Sequence, residues 1–393
     1  MGEETRKYSL EQVYSAAIAQ RLAIAVWRLP NSDKVQACVS LQEQLTVGQP
    51  ELEESAFGFL FCPFQPSERH QNSFIRADLF FEDGTGLLTS ASDAPQATRE
   101  TFYTALEQGN PVAWHTPSAG ASQASQTEAG FTGAVALAVE AIRNEEMEKV
   151  VLSRTDHKEL PENFSPVAAF RDMLQEYPRA FVSLVSVPGT GTWMGASPEI
   201  LVSINQEQVF HTVALAGTQP AVDNVADAIW RQKEIEEQAM VERYILNCFK
   251  SLRLREYTEI GPRTVIAGNL MHLRTDFKVD LKEVDFPRLG SDMLQLLHPT
   301  SAVCGLPKAP AQAFILEQEG YDRSYYSGYL GPVNSATGTH IFVNLRCMEL
   351  LQRHAILYAG AGITAESSPE KEWQETQHKM QTMGKILAGC KQI

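Results

Sequence analysis

The chain has 393 residues, 44% of them hydrophobic and 9% aromatic, so it can bury a large core. Its formal net charge of −15 argues against nucleic acid or an anionic membrane surface as a partner. The six cysteines (Cys38, Cys62, Cys248, Cys304, Cys347, Cys390) show no CxxC spacing, and the start, MGEETRKYSLEQ, has no apolar signal region; reduced thiols in a soluble cytoplasmic enzyme are expected.

Ser9 and Gln12 have the spacing of a capping box and predict a helix over about Leu10 to Gln20. The apolar run Ala16 to Trp27 is interrupted by Gln20 and Arg21 and is too short to span a bilayer. A strand is predicted over Leu22 to Leu29, and short β patterns recur at Ala56–Phe61 and Phe74–Phe81. Thr116 to Gln126 (TPSAGASQASQ) is small and polar and reads as a flexible connection. A helix over Thr132 to Arg143 puts Val135, Val139 and Ile142 on one face. From Lys149 the pattern becomes a β meander: Val150–Leu152, Phe181–Val187, Thr192–Ala196, Ile200–Ile204 and Val209–Leu215, with turns at Pro188–Gly191 and Asn205–Gln208. A long helix over about Val225 to Leu252 interrupts it, and the following stretch reads as irregular up to strands at Ile341–Leu345 and Ala355–Ala359. The closing helix carries Ser368 at N-cap and Pro369 at N1, with acids in its first turn. Strands and helices do not alternate as βαβ units, so the expected class is α+β, antiparallel sheets with helices packed around them.

Glu234 and Glu237 (KEIEEQ) and Glu372 and Glu375 (EKEWQET) are each spaced i, i+3, which places each pair on one helical face. Glu237 leads into Val241, Tyr244, Ile245 and Cys248, and Glu372 into Thr376, Met380, Met383 and Leu387, at helical spacing. Acids on an apolar stripe are costly unless a cation meets them, and an oxygen-only site suits Mg2+.

Lys149 stands where the strand VVLS begins; it is a solvated edge charge or, inside a pocket, a base. Glu199 follows Gly195-Ala196-Ser197-Pro198, a tight corner; it faces water or, partly buried, acts as a general acid. Gly217-Thr218 ends one predicted strand and Gly360-Ala361-Gly362 another, and amides in glycine turns can hold a carboxylate. Arg346 in the otherwise apolar strand HIFVNLRC needs an anionic partner, structural or substrate. His272 and Lys379 say nothing individually. Together these residues describe metal-assisted acid–base chemistry on a small dicarboxylate.

At these positions the sequence resembles the chorismate-utilising enzymes: isochorismate, salicylate, anthranilate and aminodeoxychorismate synthases. The resemblance covers about Phe131 to the C-terminus through EKVVLSR (Glu148–Arg154), GASPE (Gly195–Glu199), ALAGT (Ala214–Thr218), KEIEEQ, HPTSAVCGLP (His298–Pro307), RSYYSGYLG (Arg323–Gly331), NLRC (Asn344–Cys347) and YAGAGI with SSPEKEWQET. It implies a single domain over residues 1–393, a β-sandwich core flanked by helices like that of anthranilate synthase component I, with residues 1–125 a variable part and 126–393 the catalytic core. It implies that Glu237 and Glu375 bind Mg2+ directly or through water, supported by Glu234 and Glu372, and that the metal holds the ring carboxylate of chorismate. Lys379 and the Gly217-Thr218 amides would help position that carboxylate; Arg346 and the Gly360-Ala361-Gly362 turn would take the enolpyruvyl carboxylate. His272 would lie against the ring.

Lys149 matches the base that activates water for attack at ring C2, and Glu199 the acid that protonates the departing C4 hydroxyl. Ala216 stands where aminodeoxychorismate-forming relatives carry a lysine nucleophile, which disfavours that chemistry. The sequence departs from the common pattern at Gln238 and Cys304, to which no role is assigned. The resemblance implies an isochorismate synthase serving menaquinone or siderophore biosynthesis; the alternatives are a salicylate synthase or an anthranilate synthase component I-like amidotransferase subunit. A monomer without a glutaminase partner is expected.

Overall fold

The computed structural model describes residues 6–118, 125–220, 228–267 and 270–389. In chain order the elements are α1 (Leu10–Ala19), β1 (Ala23–Arg28), β2 (Gln36–Ser40), β3 (Gly58–Cys62), β4 (Ser73–Arg76), β5 (Leu79–Glu82), β6 (Leu87–Ser90), α2 (Gln96–Glu107), α3 (Glu128–Arg143), β7 (Lys149–Glu159), α4 (Pro166–Glu176), β8 (Phe181–Val187) and β9 (Gly191–Ser197). There follow β10 (Ile200–Ile204), β11 (Val209–Pro220), α5 (Gln232–Ser251), β12 (Thr258–Ala267), β13 (Leu270–Asp280), α6 (Leu289–Leu297), β14 (Gly305–Leu306), α7 (Lys308–Gln318), β15 (Tyr329–Val333), β16 (Thr339–Val343), β17 (Cys347–Leu350), β18 (His354–Ile363) and α8 (Pro369–Gly389).

Two antiparallel sheets carry the fold. One has ten strands in the order β14-β7-β18-β17-β9-β8-β1-β2-β5-β6, the other eight in the order β12-β13-β11-β10-β16-β15-β3-β4. Their facing sides share a core that includes Trp27, Phe59, Phe181, Trp193, Phe342 and Tyr358. Phe181 and Phe342 stack across it at 4.1 Å. The outer face of the ten-stranded sheet is covered by α1, α2, α4 and α8, and that of the eight-stranded sheet by α5 and α6. The expected α+β class with a β-sandwich core is what the chain adopts. β1 shows why its run is apolar throughout: Ile24 and Val26 face the helices while Ala25 and Trp27 face the other sheet.

Several elements differ from the sequence reading. Phe74–Phe81 is two strands in different sheets, because the chain turns at Ala77-Asp78. Buried Asp78 fixes that switch, accepting the Leu41 amide at 2.8 Å and meeting Arg76 at 3.4 Å. The segment read as irregular contains a long β12–β13 hairpin and the helices α6 and α7. β2, β6, α2 and α4 were also absent from that reading, although Ser165 caps α4 with Pro166 at its first turn. The long helix begins at Gln232 with Arg231 as its N-cap, later than Val225. Val225 itself and most of the polar connection, residues 119–124, lie outside the described residues. The closing helix starts at Pro369 as expected.

Candidate active site

Lys149 opens β7, and its side chain is 6% exposed, which settles it as a buried rather than a solvated lysine. Its Nζ donates to Glu237 Oε1 at 3.0 Å, joining the ten-stranded sheet to α5. Gly362, on the neighbouring strand β18, makes room for it: a Cβ there would stand 3.1 Å from Lys149 Cε. Gly360-Ala361-Gly362 is therefore not a turn but the inner part of β18, in register with Ser153, Leu152 and Val151. The Gly360 carbonyl accepts from Lys379 Nζ at 2.9 Å, and a Cβ at Gly360 would meet the Tyr326 hydroxyl at 3.0 Å.

Glu199 occupies the two-residue corner between β9 and β10. The corner is pinned to β16: the Val343 amide donates to the Glu199 carbonyl at 3.0 Å, and the Ser197 hydroxyl donates to the Val343 carbonyl at 2.6 Å. Burial raises the Glu199 carboxyl to about 7, although Lys149, Arg346 and Lys379 all favour its charged form. A carboxyl balanced at neutrality beside three cations can give up a proton during reaction.

Arg346 is not inside a strand. It lies in the loop between β16 and β17 with φ +48, and its carbonyl accepts from the Ala196 amide at 3.0 Å. Gly195 permits this approach, since a Cβ there would come within 2.9 Å of Cys347 Cβ. Burial lowers the Arg346 pKa, opposed by Tyr326, Glu375 and Glu199. Lys379 is likewise lowered by burial, and pairs with Glu375 one turn earlier on α8 at 2.5 Å.

Gly217-Thr218 does not end its strand. β11 continues to Pro220, with a bulge in its pairing to β13 between Ala216 and Gln219. Gly217 takes the left-handed conformation (φ +61) that such a bulge favours, and a Cβ there would meet Glu234 Cβ at 3.1 Å. The bulge turns the Gly217 carbonyl to His272 Nδ1 at 3.1 Å, and burial lowers the His272 pKa. The Thr218 side chain lies outside the described residues; Ala216 precedes the bulge and packs against the α5 core.

Of the four glutamates, Glu237 and Glu375 reach the lysines of this pocket with side chains 38% and 47% exposed. Glu372 is buried, and Glu234 accepts the Arg231 amide at 2.9 Å in the capping box of α5. Among the described residues no group of three or more His, Cys, Asp or Glu side chains is gathered to hold a metal ion. Sequence reasoning did not single out Thr300, which favours the charged form of Glu199, or Tyr326. Both fall within motif blocks, but nothing in their spacing marks them. Gln238 is buried and donates to the Ala214 carbonyl and to Thr275 at 3.3 and 3.1 Å, holding α5 on the sheet. Cys304 is buried in an apolar cluster with α3 and α7.

The family model described as chorismate binding enzyme matches residues 48–388. The chain is 32% identical to isochorismate synthase DhbC of Bacillus subtilis over 251 residues, 60% of this chain and 62% of that protein. It is also 32% identical to anthranilate synthase component 1 of Streptomyces coelicolor over 300 residues, 73% of this chain and 58% of that protein. The match thus spans about three-fifths of the length of each relative. The fold is that of MenF, the menaquinone-specific isochorismate synthase of Escherichia coli: TM-score 0.74 over 97% of this chain and 93% of that one, at 22% identity. The match to the family model over residues 48–388, most of the chain, makes this protein a member of the chorismate-binding enzyme family.

Proposed function

We propose that the protein is an isochorismate synthase that converts chorismate to isochorismate. The observation that carries the reading is the placement of Lys149 and Glu199, buried base and buried acid, around one pocket with Arg346 and Lys379. Lys149 takes a proton from the water that attacks ring C2. Glu199 gives its proton to the departing C4 hydroxyl, which leaves as water while the ring double bonds shift. Arg346 and Lys379 meet the two carboxylates, and His272 lies against the ring. Ala216 offers no amine to compete with water as nucleophile.

The donor set suits Mg2+, which takes one or two carboxylates together with water and an anionic ligand. Glu237 and Glu375 are the accessible carboxylates that would hold it, with Glu234 and Glu372 behind them. When bound, the ion polarises and fixes the ring carboxylate. A glutaminase partner is not required for water chemistry, and a monomer suffices for this site.

Chromatography of the product from chorismate and Mg2+ tests the reading. Isochorismate alone is the expected product. Salicylate formed without a second enzyme would make the protein a salicylate synthase, and anthranilate formed with ammonium salts would make it an amidotransferase subunit.

A further inference from the structure

Beside Glu199 lies a small cavity of about 20 Å³. Its polar lining is Glu199, Thr212, Tyr244, Thr300 and Ser301; the rest is aliphatic. Thr212 and Tyr244 are already engaged, Thr212 donating to the Leu201 carbonyl at 2.8 Å and Tyr244 to the Leu296 carbonyl at 2.9 Å. The hydroxyls of Thr300 and Ser301 are buried and meet no hydrogen-bond partner among the described residues. Ser301 is only 1% exposed. Thr300 stands near enough to Glu199 to favour its charged form, although its hydroxyl meets no partner with normal hydrogen-bond geometry.

Buried hydroxyls without a partner that line a cavity beside a carboxyl are the setting in which a bridging water is found. A buried water needs about 10–15 Å³ and two to four polar partners. This cavity has the volume, and Glu199, Thr300 and Ser301 make three partners.

We propose that the cavity binds one water molecule, which Thr300 and Ser301 hold against the Glu199 carboxyl, and that both are positioning residues for that acid. The positioning role rests on the proposed part of Glu199 in the reaction; the water site does not. The water donates to one carboxyl oxygen and leaves the other, carrying the proton, turned toward the substrate. After proton transfer the same hydrogen bond meets the new negative charge, adding to the cations of Lys149, Arg346 and Lys379. Removing the hydroxyls therefore makes the proton harder to release.

A crystal structure of the whole protein is expected to show one water within hydrogen-bond distance of Glu199, Thr300 and Ser301, and a Thr300→Val/Ser301→Ala variant is expected to lack it. In that variant the alkaline limb of the kcat/KM profile should move up by about 0.5 pH unit or more, because a donor to the carboxylate has been lost. We expect kcat to fall about tenfold with KM unchanged, and Thr300→Ser to restore it. An empty cavity in the native protein overturns the water site. An alkaline limb that stays in place when the water is gone overturns the positioning role. Either single variant serves if the double variant does not fold. Turnover by Glu199→Gln would instead remove the acid itself from the mechanism, leaving the crystallographic result to stand or fall independently.

Discussion

At Glu199 two opposing forces nearly cancel: burial raises its pKa, three cations lower it, and about 7 results. In its proposed role as general acid it must be protonated, so kcat/KM is expected to fall as pH rises through about 7, which a pH–rate profile would show. Lys149→Ala and Glu199→Gln are each expected to abolish turnover while substrate binding, measured by calorimetry, persists; full activity in either would show that role to be misassigned. Glu349 is a second buried carboxyl raised to about 7, with Tyr358 donating to it at 3.1 Å in the core between the sheets. Its ordinary value is 4.5, so between that pH and about 7 the folded state binds more protons than the unfolded chain. Stability on its account falls as pH rises through that window. Glu349→Gln keeps an acceptor for Tyr358 and removes the charge; we expect a gain on the order of 2 kcal/mol at about pH 8, and a flatter pH dependence, in urea denaturation.

Among the elements, β7 and β18 form the longest uninterrupted pairing at the site, from Val150 beside Ile363 to Glu159 beside His354. Gly362 leaves this ladder open where the Lys149 side chain passes. Gly362→Ala is expected to fold normally, since the crowded atom is the far part of a flexible side chain, but to lower kcat about tenfold by displacing the amine. Helix α5 brings Glu237 to the same lysine, and Glu237→Ala should raise the Mg2+ concentration needed for half-maximal activity at least about tenfold. An unchanged Mg2+ requirement would count against these carboxylates as the metal site. Much of this was legible in the sequence where a local signal exists: Pro369 marks the start of α8, and Gly195 to Pro198 mark the corner that presents Glu199. What escaped depends on distant neighbours. Gly360 to Gly362 look like a turn because glycine usually signals one, whereas here it yields space to Lys149 and Tyr326. Arg346 looks like a strand residue because its neighbours are apolar, and only the positive φ between β16 and β17 frees it. Thr300 and Ser301 gain meaning only from a cavity shared with α5 and α6.

For the whole molecule, the pocket draws on both sheets: β7 and β18 on one side, β11 and β13 on the other. Whatever loosens the sandwich also separates the site's two halves. Phe342→Ala, which removes the ring stacked on Phe181, is expected to cost about 3–5 kcal/mol in denaturant titration and to lose activity together with its near-ultraviolet signal. Among the described residues no helix is long and apolar enough to cross a membrane, and Cys38, Cys62, Cys248, Cys304 and Cys347 are free and buried. Helix α8 is held onto β7 by Arg154, whose Nε donates to Thr376 Oγ1 at 2.7 Å across 222 residues of chain. Lys379 and Glu375 ride on that helix, so the pocket is complete only once α8 has docked. When the denatured protein is diluted back to native conditions, recognition of chorismate must return with the slowest of these distant contacts, and a ligand-binding signal would time the final stage of assembly.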